Sequence, residues 1–385
     1  MYLGKVIKNL NNNFKKHSFS NICLNSKSCK KNSIFFAIKG FKEDGNKFIN
    51  EAIKNGARTI ISQNSFQGYK KNILFLTHKN PRFALSQIAK KIYKNLPNNI
   101  IAVTGTNGKS SIADFYYQIM NLNNIRCATI GTLGVKSKTL NKKTYNTSPD
   151  LITLYEILKN LKKSKVNNCV LEASSHGLSQ HRLDGIKINS GIFSNISRDH
   201  YDFHKNYKNY LEAKLLLFNK IVIKNGNAIF NKNFKESKKI IKICKKRKIK
   251  ISTVGRNSSI NVEQIRSIKN YQEVIFTYKK KKFLFKTQLI GDVQINNLML
   301  AILVATKYLS IEKIANVLPL IKPIKGRFEE VGKLKNEARV ILDYAHTPDA
   351  LESCIKTIKK QYKNSKISIV FGCGGERDKN KRIIM

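Results

Sequence analysis

The sequence predicts an α/β protein: a P-loop central parallel sheet, with a small mixed N-terminal domain before it and an incomplete Rossmann-like domain after it. Three observations carry that expectation. From about residue 100 onward, short apolar runs alternate with stretches of helical spacing, the pattern of a largely parallel sheet covered by helices on both faces. A glycine-rich loop lies directly between one such run and one such helix. The 385 residues are enough for two or three domains, each able to bury its own core.

In chain order, residues 1–97 read as the small mixed domain. Ser33-Ile34-Phe35-Phe36-Ala37-Ile38 is a buried strand, Asp44-Gly45 marks a turn, 51–55 has helical character, and Thr59-Ile60-Ile61-Ser62 is a second strand. Pro97-Asn98-Asn99 is a natural boundary. The central domain, 98–325, opens with the strand Ile100-Ile101-Ala102-Val103 and a helix over 109–120. Cys127-Ala128-Thr129-Ile130 is the next strand, 154–161 a helix, and Cys169-Val170-Leu171 a strand. Residues 250–290 are richer in alternating strands, among them Glu273-Val274-Ile275-Phe276-Thr277-Tyr278, and a helix over 296–309 closes the domain. In 326–385 the strand Arg339-Val340-Ile341-Leu342, a helix over 348–359 and the strand Ile367-Ser368-Ile369-Val370-Phe371 make one and a half alternating units. That is too little to close a doubly wound domain, so this part is expected to be incomplete.

Composition narrows the function classes. Hydrophobic content of 41% and charged content of 25% are those of a water-soluble globular chain, and no apolar run is long enough to span a bilayer. The N-terminus has no signal-peptide stretch, which makes the cytoplasm the expected location. Seven cysteines without a CxxC pair read as reduced thiols, mostly small buried hydrophobes. The net charge of +48 raises nucleic-acid binding as a hypothesis. The excess is mostly lysine, spread along the chain beside abundant Asn and Ile, all residues with AT-rich codons. Runs such as Lys245-Lys246-Arg247-Lys248 and Lys279-Lys280-Lys281-Lys282 lack interleaved aromatics for base stacking, so a solvated surface with no nucleic-acid partner is the expectation.

Three clusters carry chemistry. In Val103-Thr104-Gly105-Thr106-Asn107-Gly108-Lys109-Ser110-Ser111 a strand feeds a glycine loop that opens a helix, the setting in which backbone N–H groups cradle phosphate. Lys109 can reach terminal phosphates and the Ser110 hydroxyl can ligate Mg²⁺; Val103 stands where the commonest form of this loop has its first glycine. A chance glycine turn is the plain alternative, and the strand and helix on either side argue against it. The second cluster, Leu171-Glu172-Ala173-Ser174-Ser175-His176-Gly177-Leu178, puts Glu172 at the C-terminal edge of a core strand, where a carboxylate can serve as a Mg²⁺ ligand or cap the next helix. The third runs from Ser194 to His204. Its His200 and His204, with His176 and His181, could suggest zinc, but the surrounding Asp and Ser residues favour oxygen coordination.

Together TGTNGKSS (104–111), EASSHGLSQHRLDG (172–185), SNISRDHYDFH (194–204), YLEAKLLLF (210–218), GRFE (326–329), DYAHTPDAL (343–351) and FGCGGERDKNKR (371–382) resemble the Mur ligases. The resemblance runs in the family's order from about residue 20 to the end of the chain. EASSHG followed by QHR resembles the branch that adds the third residue of the peptidoglycan stem peptide. It implies a three-domain Mur ligase architecture and an ATP-dependent amide-forming ligase that releases ADP and phosphate. The donor implied is UDP-MurNAc-L-Ala-D-Glu, activated as an acyl phosphate; the acceptor is a diamino acid, meso-diaminopimelate, with L-lysine as the alternative. A monomer with no membrane partner is expected.

Residue by residue, the resemblance assigns ATP to Gly105, Thr106, Asn107, Gly108, Lys109, Ser110 and Ser111, with Asn297, Arg327 and Asp343. Mg²⁺ falls to Ser110, Glu172, His200 and Lys214, the last as a carbamate (N6-carboxylysine), because an ammonium cannot ligate a hard cation and a carbamate can. By local sequence alone Lys214 is a solvated helix residue. Lys214, Lys109 and His200 are the implied catalytic set. The donor falls to Ser26, Phe41, Lys42 and Glu43 on the uridine side, and to Asn146, Thr147, Ser148, Ser174, Gln180 and Arg182 deeper in the cleft. Arg377 would grip the acceptor's carboxylate, a task suited to a guanidinium. The chain departs from the family's pattern at Ser110 and Ser148 (usually Thr), Gln294 (usually Asn) and Ile383 (usually Pro). It ends before the segment that reads the far end of the amino acid, which makes a truncated, inactive fragment one expectation. A folylpolyglutamate synthase-like ligase shares the loop and domain plan but does not explain SSHGLSQHR.

Overall fold

The computed structural model describes residues 1–40, 43–268, 271–363, 365–372 and 381–385. They form two compact units. The first comprises Met1–Pro97, Pro149–Ser164 and Ser179–Ile186. Its sheet runs Ile22–Cys23, Ser33–Phe36, Ala57–Ser62, Ile73–Thr77, Gly68–Lys70, parallel except for the last hairpin. Cys23, Phe35, Ile60 and Ile73 form the centre of its core. The stretches 149–164 and 179–186 lie within the expected central segment, yet they pack with 1–97. The helix Leu151–Lys163 presents Leu154, Tyr155, Leu158 and Leu161 as a buried stripe, and it packs on the helix Pro81–Ile92, with Tyr155 stacked on Tyr93 at 5.1 Å.

The second unit contains the remaining described residues. Among these, eleven strands form one sheet in the order Lys281–Thr287, Tyr271–Tyr278, Ile260–Ile268, Lys250–Val254, Val222–Asn231, Ile188–Phe193, Asn99–Thr104, Asn168–Glu172, Cys127–Gly131, Gly134–Lys136, Asn141–Lys142. Pairing is parallel from Cys127–Gly131 across to Ile260–Ile268 and antiparallel in the meander at each edge. The unbroken apolar run at 100–103 follows from burial on both faces, since every position from Ile100 to Thr104 is buried. One face is covered by the helices Lys109–Leu122 and Asp292–Ala305, which pack on each other. The second is buried almost all round, so its sequence lacks a polar stripe.

Strand order places the site. After Asn99–Thr104 the chain moves out to Cys127–Gly131, returns between the two as Asn168–Glu172, then crosses to the other side as Ile188–Phe193. This reversal opens a crevice at the C-terminal ends of three adjacent strands, the standard ligand position in open α/β sheets. Those ends carry the glycine loop, Glu172 and the segment beginning at Ser194.

The C-terminal part differs from expectation in one respect. Glu329–Lys333 and Arg339–Leu342 form an antiparallel hairpin, and Thr347 caps the helix Pro348–Gln361. Residues 367–371, expected as a strand, are not one. A strand needs a neighbour for its backbone groups, and among the described residues none pairs with it; Ile369, Val370 and Phe371 are exposed.

Candidate active site

The loop is held in place from beneath by the segment after Phe193. Asn195 receives the N–H of Asn107 on its Oδ1 (2.9 Å) and that of Thr106 on its carbonyl (3.0 Å). Ser194 Oγ and Asn195 Nδ2 donate to the Asn107 carbonyl at 2.5 and 3.2 Å. Gly105 has φ +145°, and a Cβ there would sit 1.8 Å from Ser194 Oγ, so only glycine fits. Gly108 (φ +84°) is similarly pressed by Asn297, whose Oδ1 would be 2.6 Å from an added Cβ. Because Asn195 occupies the N–H groups of Thr106 and Asn107, the donors left for an anion are those of the first helical turn. Lys109, Ser110 and Ser111 precede the first intrahelical bond, Ile112 N–H to Gly108 O, and their N–H groups have no acceptor within the helix.

Around this turn lies a cavity of about 590 Å³ lined by Ser110, Glu172, Asp199, His200, Asn297 and Arg327, among others. Ser110 Oγ donates to Glu172 Oε1 at 2.9 Å, and Glu172 also accepts from Thr132 N (2.9 Å) and Thr132 Oγ1 (3.1 Å). Glu172 is only 3% exposed. The Lys109 ammonium folds back onto the Gly105 and Thr106 carbonyls (2.9 and 2.7 Å). Burial lowers its pKa, opposed by the charges of Glu172 and Asp199 and reinforced by Arg327. Arg327 lies 4.2 Å over the Tyr344 ring and reaches Ser110 Oγ at 3.4 Å; Asp343 accepts the Phe328 N–H at 2.9 Å. Burial lowers the Arg327 pKa and raises that of Asp343.

Two further groups are shaped by burial. Lys214 is 1% exposed and donates to the Gly105 carbonyl at 2.7 Å, with its amine 4.3 Å from the Tyr210 ring centroid. Desolvation pushes its pKa well below the usual lysine value, Lys109 adds to the shift, and Asp199 opposes it. His200 has a left-handed backbone (φ 55°) and lies 3.2 Å from Asp199 Oδ2. Desolvation outweighs that carboxylate and drops its pKa to about 3, leaving a neutral imidazole.

The structure therefore brings together Thr106 to Ser111, Glu172, His200, Asn297, Arg327 and Asp343 around one cavity, with Gly105 behind them against Ser194 and Thr147 joined to Thr132 (3.0 Å between hydroxyls). Lys214 lies beneath the loop, not as a lining residue. Ser148 and Ser174 bond to each other at 3.1 Å and to backbone, fastening the Glu172 strand end; Asn146 is exposed. In the first unit, Gln180 and Arg182 line a separate cavity of about 290 Å³ and bond to each other at 2.8 Å. Ser26 is buried with its hydroxyl on Glu51 (2.6 Å), and Glu43 is exposed. Phe41, Lys42 and Arg377 lie outside the described residues. Sequence reasoning did not single out Thr132, Asn195, Asp199 or Tyr344 as site residues. Asn195 and Asp199 stand within the 194–204 cluster, where their polarity was the available signal; Thr132 carried none.

Residues 103–305 match the Mur ligase middle domain, 326–385 the Mur ligase glutamate ligase domain, and 18–93 the Mur ligase family catalytic domain. A relative from Rickettsia montanensis named UDP-N-acetylmuramoyl-L-alanyl-D-glutamate–2,6-diaminopimelate ligase is 37% identical, over 98% of this chain and 79% of its own length. A solved structure titled as the same ligase superposes with a TM-score of 0.78 at 28% identity, over 97% of this chain and 76% of that one. A Mycobacterium tuberculosis folylpolyglutamate synthase complexed with ADP and AMPPCP reaches a TM-score of 0.60 at 15% identity, over 73% and 70% of the two chains, which shows a shared fold.

Proposed function

The chain belongs to the Mur ligase family, whose members are ATP-dependent amide-bond ligases, and from that premise we propose that it joins meso-diaminopimelate to UDP-MurNAc-L-Ala-D-Glu. The observation that carries the reading is the Ser110–Glu172 pair at the mouth of a phosphate-type loop, in a chain close in sequence to a relative named for this reaction.

An amide forms from a carboxylate only after an oxygen has become a leaving group. Phosphoryl transfer from ATP to the donor's D-glutamyl side chain does this; the acceptor's amine then attacks the acyl phosphate, forming the C–N bond and releasing phosphate. The protein's tasks are positioning and charge neutralisation. The helix N-terminus would supply N–H groups to phosphate oxygens, and Lys109 would exchange its two carbonyl partners for the terminal phosphates. Asn297, Arg327 and Asp343 would orient the nucleotide. Ser26, Glu43, Asn146, Thr147, Ser148, Ser174, Gln180 and Arg182, with Phe41 and Lys42, would contact the donor, and Arg377 the acceptor's carboxylate.

The donor set suits Mg²⁺: a carboxylate and a hydroxyl 2.9 Å apart, with the neutral His200 lining the same cavity. Ser110, Glu172, His200 and carbamylated Lys214 would hold it. Such a cation, when bound, neutralises charge on the transferring phosphate. Lys214 suits the modification because burial disfavours its ammonium form, and the neutral amine is the form that adds CO₂, giving a carbamate and releasing a proton. A monomer acting in the cytoplasm completes the proposal.

The test is phosphate release and product mass with ATP, the UDP-sugar dipeptide and either meso-diaminopimelate or L-lysine. ADP should form only with donor and acceptor together, and faster with meso-diaminopimelate. Phosphate release indifferent to the sugar dipeptide would sink the assignment. In ¹³C-bicarbonate the protein should show a carbamate carbon resonance that Lys214→Gln removes; its persistence in that variant rules out Lys214 as the carrier.

A further inference from the structure

The cavity of the first unit contains a charge that the donor contacts above leave unexplained. Arg82 lines it beside Arg182, Gln180 and Asp150, with Leu24, Ile38 and Leu85 as apolar wall. Arg82 sits in the first turn of the helix Pro81–Ile92, whose start is fixed by Pro81 and by the Asn80 side chain capping Phe83 N–H at 3.1 Å. Its guanidinium makes no hydrogen bond or ion pair among the described residues. Arg182 faces it, and burial together with that like charge lowers the Arg82 pKa.

The acceptors nearby are already engaged. Asp150 caps the helix Leu151–Lys163, accepting Ile152 and Thr153 N–H on Oδ1 (3.0 and 3.1 Å) and the Thr153 hydroxyl on Oδ2 (2.6 Å). Gln180 Oε1 takes Arg182. His181 is held by Asp184 at 2.8 Å and Asn80 at 3.2 Å. Two guanidiniums in one small cavity, one of them without a counter-charge of its own, call for an anion.

We propose that Arg82 is a binding residue for the donor's nucleoside diphosphate, clamping the diphosphate together with Arg182. This rests on the donor assignment above and adds a residue to it. A diphosphate diester carries an ionised oxygen on each of two neighbouring phosphorus atoms, matching two guanidinium forks, whereas a single carboxylate would satisfy one. The apolar wall suits the flat base attached to it.

The experiment titrates UDP, uridine and ADP into the full chain and into Arg82→Gln and Arg82→Lys. A charge-assisted contact predicts that Arg82→Gln loses on the order of 10-fold or more in UDP affinity. Uridine and ADP should bind it as they bind the wild type, so the UDP-over-uridine preference collapses. Arg82→Lys, keeping the charge and losing the fork, should fall between and carries the test should the glutamine variant not fold. An unchanged UDP-over-uridine preference in folded variants overturns the proposal, as does an equal loss of all three ligands, which marks a structural arginine. A wild-type chain that binds neither UDP nor the sugar dipeptide instead overturns the donor reading beneath it.

Discussion

Burial around the loop makes acid the weak point of the site. His204 packs among His176, Phe203 and Tyr210, and among the described residues its Nε2 has no hydrogen-bond partner. Desolvation, with His176 and Lys214 adding, lowers its pKa from 6.5 to about 4. Because the folded value lies below the unfolded one, the unfolded chain takes the proton first as pH falls. Stability is therefore complete above the ordinary value and drains away as pH drops from 6.5 toward 4. His204→Phe should flatten that acid limb of the melting temperature; an equally steep loss in the variant would show that this imidazole does not cause it. Lys214 is a residue whose burial its local sequence does not reveal. Its local sequence reads as a solvated helix position, and only its place under Gly105 buries the amine and pushes its pKa down.

Elements show where pattern reading succeeds and where it stops. The strand, loop and helix around residue 105 were legible because a buried strand, a glycine turn and a helix start each leave a local signature. The lysine run at 279–282 was legible only as surface charge. In the structure Lys279 and Lys280 are the two corner residues of the hairpin joining Tyr271–Tyr278 to Lys281–Thr287, both left-handed at φ 48° and 68°. That is the backbone of a tight primed turn, which favours Asn-Gly. Replacing the pair by Asn-Gly should stabilise the chain by about 1 kcal/mol and raise its melting temperature by roughly 1–2 °C. An unchanged or lowered value would show that the turn is not strained. The unformed strand at 367–371 is the converse case: apolar residues with strand propensity are not enough without a paired neighbour.

For the whole molecule the dominant quantity is the +48 charge. Most of the ion pairs described are surface pairs, such as Lys281–Glu312 and Lys356–Glu352, which do little to offset it. Self-repulsion should make the fold salt-sensitive: raising NaCl from about 20 to about 200 mM should raise the melting temperature as the Debye length shrinks. A flat or falling response would show that the lysines are too dispersed to strain the fold. The sequence by itself determined the α/β class, the phosphate loop, the family resemblance and part of the crevice lining, because those follow from short-range periodicity and contiguous motifs. Only the tertiary structure decided that 149–164 and 179–186 pack with the N-terminal unit. It also joined Thr132 to Glu172, buried Lys214 beneath the loop, and set Arg82 beside Arg182. Each of these is a contact between residues distant in the chain. It is chosen by strand order and helix packing, and no local pattern records it.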